Sequence, residues 1–429
     1  MALTAPTQLP LRVAISTQRN LTQAGALLLL LVLLYLPLGC AVGSTAVSSP
    51  QQNDHAATSL SVIQPQFFGM VVIHAANQPA IPIGSRRLSD PSVTWAALEL
   101  APGTFTWSSL DAEVASAQAA NAEITLTLGM TPTWASSQPS VASIYGPGAT
   151  AMPANLSDWD AYVSAVAARY AGRITSYEIW NSPSDLTFWS GPSAQLGADM
   201  ATLSAHAAAA IHAADPNATI VAPAFQPSDL AQFLAAGGNS SVDVFSAAIS
   251  LAGQAPETLQ PATAALRSVM AGSAANVKPL WNDQPSWTLP AGIGAQALSQ
   301  QDQAAYAARA LILNAASGVT RLSWYAWDDP SSTSLQLSNA SATPTLAAAA
   351  YATVESWLTG ATLNGCSANA EQLWTCQLSR SGAPAWILWS PSGTTQASSL
   401  AMSTMTTLDG VQQPVSGLIP VGTAPVLLQ

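Results

Sequence analysis

Between residues 68 and 325, short apolar runs alternate with Ala-rich stretches of helical period, and this alternation restricts the folds open to the chain more than any single residue does. The runs predict strands over 68–73, 83–88, 123–128, 176–180, 219–223, 242–247, 279–282 and 321–325. Apolar residues recurring at three and four predict helices over 110–119, 159–170, 197–214, 229–236, 261–270, 301–316 and 346–358. Eight strand–helix units match a (β/α)8 barrel in number and length. An open doubly wound sheet has the same periodicity, but no Gly-rich phosphate loop follows any of the strands, so an α/β TIM barrel is the expected fold class. Beyond residue 358 the texture changes to Trp, Thr, Ser and Val in short alternating runs broken by Ser-Gly, Asp-Gly and Pro, which predicts a small antiparallel β-sandwich.

Four segments follow from this: 1–40, 41–62, 63–345 for the barrel, and 346–429 for its last helix and the β domain. Segment 1–40 has Arg12 and Arg19 ahead of the apolar run AGALLLLLVLLYLPL, the arrangement of an export signal. The run is short for a bilayer span, which needs roughly 20 residues. Cys40, after Leu38 and Gly39, resembles the acylated cysteine of a bacterial lipoprotein, although Pro37 and Leu38 depart from that pattern; plain cleavage and an uncleaved membrane anchor remain open beside it. Residues 41–62 are mostly Ser, Thr, Ala, Gln and Asn, with no apolar period, as in a linker. The expected location is therefore extracytoplasmic, secreted or held at a membrane through the N-terminus.

Charge narrows the partners. With 22 acidic and 11 basic residues the net charge is -11, and Lys278 is the single lysine, so no basic patch is available to follow a phosphate backbone. Nucleic acid is excluded as an expected partner. Cys366 and Cys376, ten residues apart in an exported chain, read as a disulfide across neighbouring strands, with two buried thiols as the alternative. His206 and His212 lie six apart on one helix, which is not the one-face spacing of a zinc pair, and no metal or cofactor is expected.

Five segments, SRRLSDPSVTWAALELAPGTFTWSSLD (85–111), TLTLGMTPTWAS (125–136), YEIWNSPSDLTFWSG (177–191), KPLWNDQPSW (278–287) and RLSWYAWDD (321–329), resemble the clan A glycoside hydrolases, most closely the family 39 type. The resemblance implies a general acid/base at the end of the fourth strand and a nucleophile at the end of the seventh, both glutamate. Retaining hydrolysis needs two such carboxyls about 5–5.5 Å apart. Here Trp180, Asn181 and Pro183 bracket Ser182 at the first position, and Trp281 and Trp287 flank Gln284 at the second. Ala248 and Ser250 stand where the family carries a His and a Tyr, and Ser286 where it carries a glycine.

A serine hydroxyl does not titrate near neutrality, and glutamine has neither the charge nor the nucleophilicity of a carboxylate. Losses of this kind cost on the order of 10^4 to 10^6 in turnover. The expectation is a catalytically inactive, carbohydrate-binding protein. Two alternatives stand beside it: a weak glycosidase using Asp185 or Asp283, and a scaffold with a vestigial pocket. Asp283, next to an inward position, would need a β-bulge to enter the site, and Asp185 also suits a turn or helix cap. Glu178 is expected to be a structural partner of buried polar groups. Asn181, Trp134, Trp189, Trp287, Trp324, Trp327, Arg87 and His74 are the candidate sugar contacts, with packing as the other reading for each tryptophan. Arg87 is expected to pair with Asp283 or Asp90.

Overall fold

A computed structural model describes residues 61–249, 253–283, 285, 298–329, 335–339 and 341–429. The N-terminal segment with Cys40, most of the linker, and Gln284, Ser286, Trp287 and Ser250 lie outside them.

Eight parallel strands close into a barrel: β1 (Phe68–Val71), β2 (Ser85–Leu88), β3 (Glu123–Leu128), β4 (Ser176–Ile179), β5 (Thr219–Ala224), β6 (Val244–Ala247), β7 (Leu280–Asn282) and β8 (Val319–Trp324). Each pairs with its sequence neighbours, and β8 closes on β1, where Phe68 aligns with Leu322. The helices on the outside are α1 (Ser108–Ala119), α2 (Leu156–Tyr170), α3 (Leu196–Ala214), α4 (Pro227–Ala235), α5 (Leu259–Ala271), α6 (Gln300–Ala316) and α7 (Leu346–Leu358). No helix joins β1 to β2. The connection, residues 72–84, carries Pro79 and Pro82 and turns back without a helix, so seven strands rather than eight are followed by a long one.

Both barrel faces are covered, which explains why β3, EITLTL, is buried almost throughout. Its leucines and isoleucine pack outward in the core while Thr127 faces in. The helices bury one stripe. In α2 the buried residues are Trp159, Tyr162, Val163, Val166, Ala167 and Tyr170, spaced by three and four. Side-chain caps start two of the helices, Ser299 accepting from the Asp302 amide at α6 and Thr345 from the Ala348 amide at α7.

The C-terminal region is antiparallel. Strands β9 (Ala361–Ala368), β10 (Trp374–Arg380), β11 (Ala383–Trp389), β12 (Thr395–Ser398), β13 (Thr404–Thr406), β14 (Gln412–Pro414), β15 (Leu418–Val421) and β16 (Val426–Leu428) form a six-stranded sheet, in the order β9-β10-β11-β16-β13-β14, and a β12–β15 pair. The two share a small core of Leu388, Ala397, Met405, Ile419, Val421, Val426 and Leu428. Cys366 and Cys376, opposite one another on β9 and β10, are disulfide-bonded.

Candidate functional site

Alternation along β2 sends its two arginines in opposite directions. Arg86 points out to α1 and pairs with Glu113 at 2.5 Å. Arg87 points in, where its Nε and Nη2 donate to Glu178 Oε2 at 2.8 and 2.6 Å. The same Nη2 donates to Asn181 Oδ1 at 2.9 Å, and Nη1 to Ser89 Oγ at 3.0 Å. Thr127 completes the cluster, donating its hydroxyl to Glu178 Oε2 at 2.6 Å. The expected pairing of Arg87 with Asp283 or Asp90 is therefore replaced by Glu178 and Asn181, because the inward residues of β2, β3 and β4 converge on one point. Asp90 is spent on the amide of Ser92, at 2.8 Å, in the turn after β2.

Asp283 also departs from expectation. Trp281 faces the barrel interior, where it packs with Val221 and Val244 and lies 4.2 Å beneath the Arg321 guanidinium. Alternation then turns Asn282 outward, to the Ile249 amide and Asn314 on α6, and Asp283 inward without a bulge in β7. Its carboxyl is fully buried, among charges from Arg87, Arg321 and Glu178. Burial raises the Asp283 carboxyl pKa, against the pull of Arg87, of Ser246 and of Arg321. Ser246 lies nearby, yet among the described residues neither its hydroxyl nor either Asp283 oxygen makes a hydrogen bond of good geometry. Burial likewise pushes Glu178 up to about 7; Arg87 opposes the rise and the neighbouring Asp283 charge adds to it. Glu178 Oε1 has no hydrogen-bond partner. Two buried acids thus act on one another inside the barrel, and among the described residues three of their carboxyl oxygens lack a hydrogen-bond partner.

At the mouth itself, β4 turns sharply. Trp180 and Ser182 both take positive φ, 69° and 38°, a conformation that costs a non-glycine residue about 1–3 kcal/mol. The turn is held by Trp180, whose amide donates to Leu128 O at 2.8 Å and whose indole N–H donates to Phe188 O at 2.7 Å. It delivers Ser182 and Asn181, both buried, to the place where the acid/base was expected. Asp185 is on the exposed part of the same loop, its Oδ1 accepting from the Thr187 amide at 2.8 Å; it caps a turn and is not directed into the barrel.

The candidate sugar contacts separate into two groups. Trp189, Trp324 and Trp327 are buried against protein and offer no open face, so they pack the rim. Trp134 is half-buried, with its indole N–H on Glu99 O at 3.1 Å and its ring edge-on to Trp95. His74 is open to solvent, its Nδ1 3.0 Å from Asp328, a carboxylate that also receives the Ile73 amide and Asn77. The structure also reveals a cleft between the loops after β2, β3 and β4, lined by Ser89, Thr94, Thr127, Tyr145 and Asn181. Thr127 was readable in the T-L-T alternation of β3. Tyr145 lies on a loop without period and carried no signal. Among the described residues, no group of three or more His, Cys, Asp or Glu side chains is placed to hold a metal.

The sequence matches no known family profile and no curated protein. Its fold does have solved counterparts. A family 39 glycoside hydrolase from Bacteroides cellulosilyticus WH2 superimposes with a TM-score of 0.68 at 15% identity, covering 86% of this chain and 82% of that one. The GH39 enzyme of Xanthomonas axonopodis pv. citri gives 0.56 at 15% identity over 86% and 95%. A GH30 endoxylanase from Clostridium papyrosolvens C71 gives 0.57 at 13% identity over 86% and 97%. The chain therefore has the glycoside hydrolase type of (β/α)8 barrel with a C-terminal β region.

Proposed function

We propose that this protein binds a saccharide at the mouth of its barrel and does not hydrolyse it. The observation that carries the reading is the end of β4, which presents Ser182 and Asn181 to the mouth in place of a carboxyl. Glu178 and Asp283 cannot take over readily: both are fully buried, and Glu178 is bound to Arg87. Among the described residues, the acid/base position at the end of β4 offers a glycosidic oxygen a serine hydroxyl, and general acid catalysis needs an acid at hydrogen-bond distance. The glycosidases and xylanase that share the fold support a saccharide as the ligand class.

The test is to incubate the full chain with a panel of aryl glycosides and to probe a broad glycan array. Glycan binding without turnover is the expected result. Binding nowhere on the array overturns the reading and leaves a scaffold with a vestigial pocket. One observation favours a second reading, an altered glycosidase: Asp283 is buried in the barrel near enough to Glu178 for its charge to act on it. Aryl glycoside turnover that disappears in Asp283→Asn establishes that reading instead.

The location we propose is extracytoplasmic. The Cys366–Cys376 disulfide supports an oxidising compartment, and segment 1–40 has the composition of an export signal or lipoprotein anchor. Mass spectrometry of the mature N-terminus distinguishes acylation at Cys40 from plain cleavage.

A further inference from the structure

Of the described tryptophans expected to stack on sugar, Trp189, Trp324 and Trp327 are buried and Trp134 is half-buried with its ring against Trp95, so a saccharide-binding mouth needs another apolar wall. The cleft beside Asn181 has one. Tyr145, from the loop after β3, lines it and leans on Phe188, from the loop after β4, with ring centroids 5.9 Å apart and planes tilted by 42°. Both rings are half-buried. One and two residues before them in sequence, Ile144 and Leu186 are 78% and 84% exposed, a large apolar area to leave in water on two adjacent loops. Beside Tyr145 the cleft is lined by Ser89, Thr94, Thr127 and Asn181, with Leu128, Gly129 and Met130 between them. Aromatic rings beside hydroxyl and amide groups suit a pyranose, whose faces are apolar and whose edges are hydroxyl groups. The cleft itself holds only about 10 Å³, the room of roughly one water, so a pyranose would have to lie across its opening against the rings.

Charge selects further. Asp185 is exposed on the loop that carries Phe188, and Asp90 adjoins Ser89 of the cleft lining. Arg87, which acts on the Tyr145 phenol more strongly than either acid, is buried, with all three guanidinium nitrogens bonded to Glu178, Asn181 and Ser89. A carboxylated or sulfated sugar meets two acids there, and the guanidinium beside the cleft is already committed.

We propose that Tyr145 and Phe188 form the stacking wall of a saccharide cleft that takes uncharged pyranoses and rejects anionic ones. This rests on the saccharide-binding reading above. The probes are an array of neutral oligosaccharides that includes xylohexaose and cellohexaose, with oligogalacturonate as the anionic arm, applied to the full chain. The wild type binds at least one neutral oligosaccharide and ignores oligogalacturonate. Tyr145→Ala and Phe188→Ala each weaken that binding roughly tenfold, whereas Tyr145→Phe, which keeps the ring, stays within about threefold.

Because truncating a half-buried ring can disturb folding, Leu186→Asp and Ile144→Asp serve as surface variants; each places a charge beside the wall and lowers affinity with an unchanged melting temperature. Neutral-sugar binding that is indifferent to all four disruptive variants overturns the proposal while the saccharide-binding reading stands. Preference for oligogalacturonate overturns the charge selection. Absence of binding to every glycan overturns the saccharide-binding reading and this proposal with it.

Discussion

Asp283 is an ionisable group placed where its charge is poorly supported. Among the described residues neither of its buried oxygens makes a hydrogen bond of good geometry, and the buried Glu178, one oxygen likewise unsatisfied, feels its charge. An uncompensated buried carboxylate costs more than a neutral acid does, so both groups hold their protons to higher pH than in the unfolded chain. The folded state then binds more protons than the unfolded state between the ordinary carboxylate range and the raised folded values. Stability is full below that range and falls as pH rises through about 7, where Glu178 ionises. Asp283→Asn removes one of the two charges and lets Glu178 ionise beside Arg87 alone. Its thermal denaturation should be flatter than that of the wild type between pH 5 and 8 and more stable by about 1–3 kcal/mol at pH 8. A variant that tracks the wild type across this interval, or falls below it at the alkaline end, shows that the two carboxyls do not share the barrel interior in this way. Glu178→Gln is the less clean substitution, since it also strips Arg87 of its buried counter-charge.

Among the elements, the β9–β10 hairpin depends most on a single bond. Cys366 and Cys376 close a loop of ten residues, and in the chain-entropy account such a link contributes roughly 2–3 kcal/mol. Cys376 is fully buried, and the adjoining Trp374 stacks on Trp389. Reduction, or a paired Cys366→Ser and Cys376→Ala substitution, should lower stability by about that amount; a loss under about 0.5 kcal/mol in denaturant melts means the hairpin holds itself without the bond. This element was readable because two cysteines lay in a segment of strand-like alternation. The barrel strands were readable for a similar reason: a buried parallel strand is a short apolar run, and β3 spans residues 123–128 as its sequence suggests. The inward face of β7 was not. Counting from flanking tryptophans places Gln284 inward and so Trp281 outward, but Trp281 aligns with Ser246 on β6 and packs inside the barrel with Val221 and Val244, under the Arg321 guanidinium. That coupling joins residues forty apart and has no local signature. The Tyr145–Phe188 contact has the same character, because loop conformation is set by side chains of two different connections.

At the scale of the molecule, barrel and β region share one core. The large cluster that holds Trp95 and Trp159 in the barrel runs on to Trp374, Ile387, Trp389 and Leu427 in the six-stranded sheet. One polar link across that junction is Glu257, just before α5. Its Oε1 accepts from Arg309 Nη1 on α6 at 3.0 Å and from the Trp389 indole N–H on β11 at 2.8 Å. Gln260 adds a bond to the Cys366 carbonyl at 3.2 Å. Arg309 is almost wholly buried and Glu257 only slightly exposed, so removing the carboxylate leaves a guanidinium and an indole without their acceptor in a dry place. A buried pair broken on one side typically costs 3–5 kcal/mol. Glu257→Ala should therefore lose about 3 kcal/mol or more, and Glu257→Gln, which keeps one acceptor oxygen, distinctly less. A continuous core also means that both variants unfold in a single calorimetric transition, as the wild type does, with the midpoint displaced. Two resolved transitions in Glu257→Ala, the β region melting ahead of the barrel, are the result that separates a docked appendage from an integral one, because an appendage loses only its junction when Glu257 is removed and an integral sheet takes the barrel down with it.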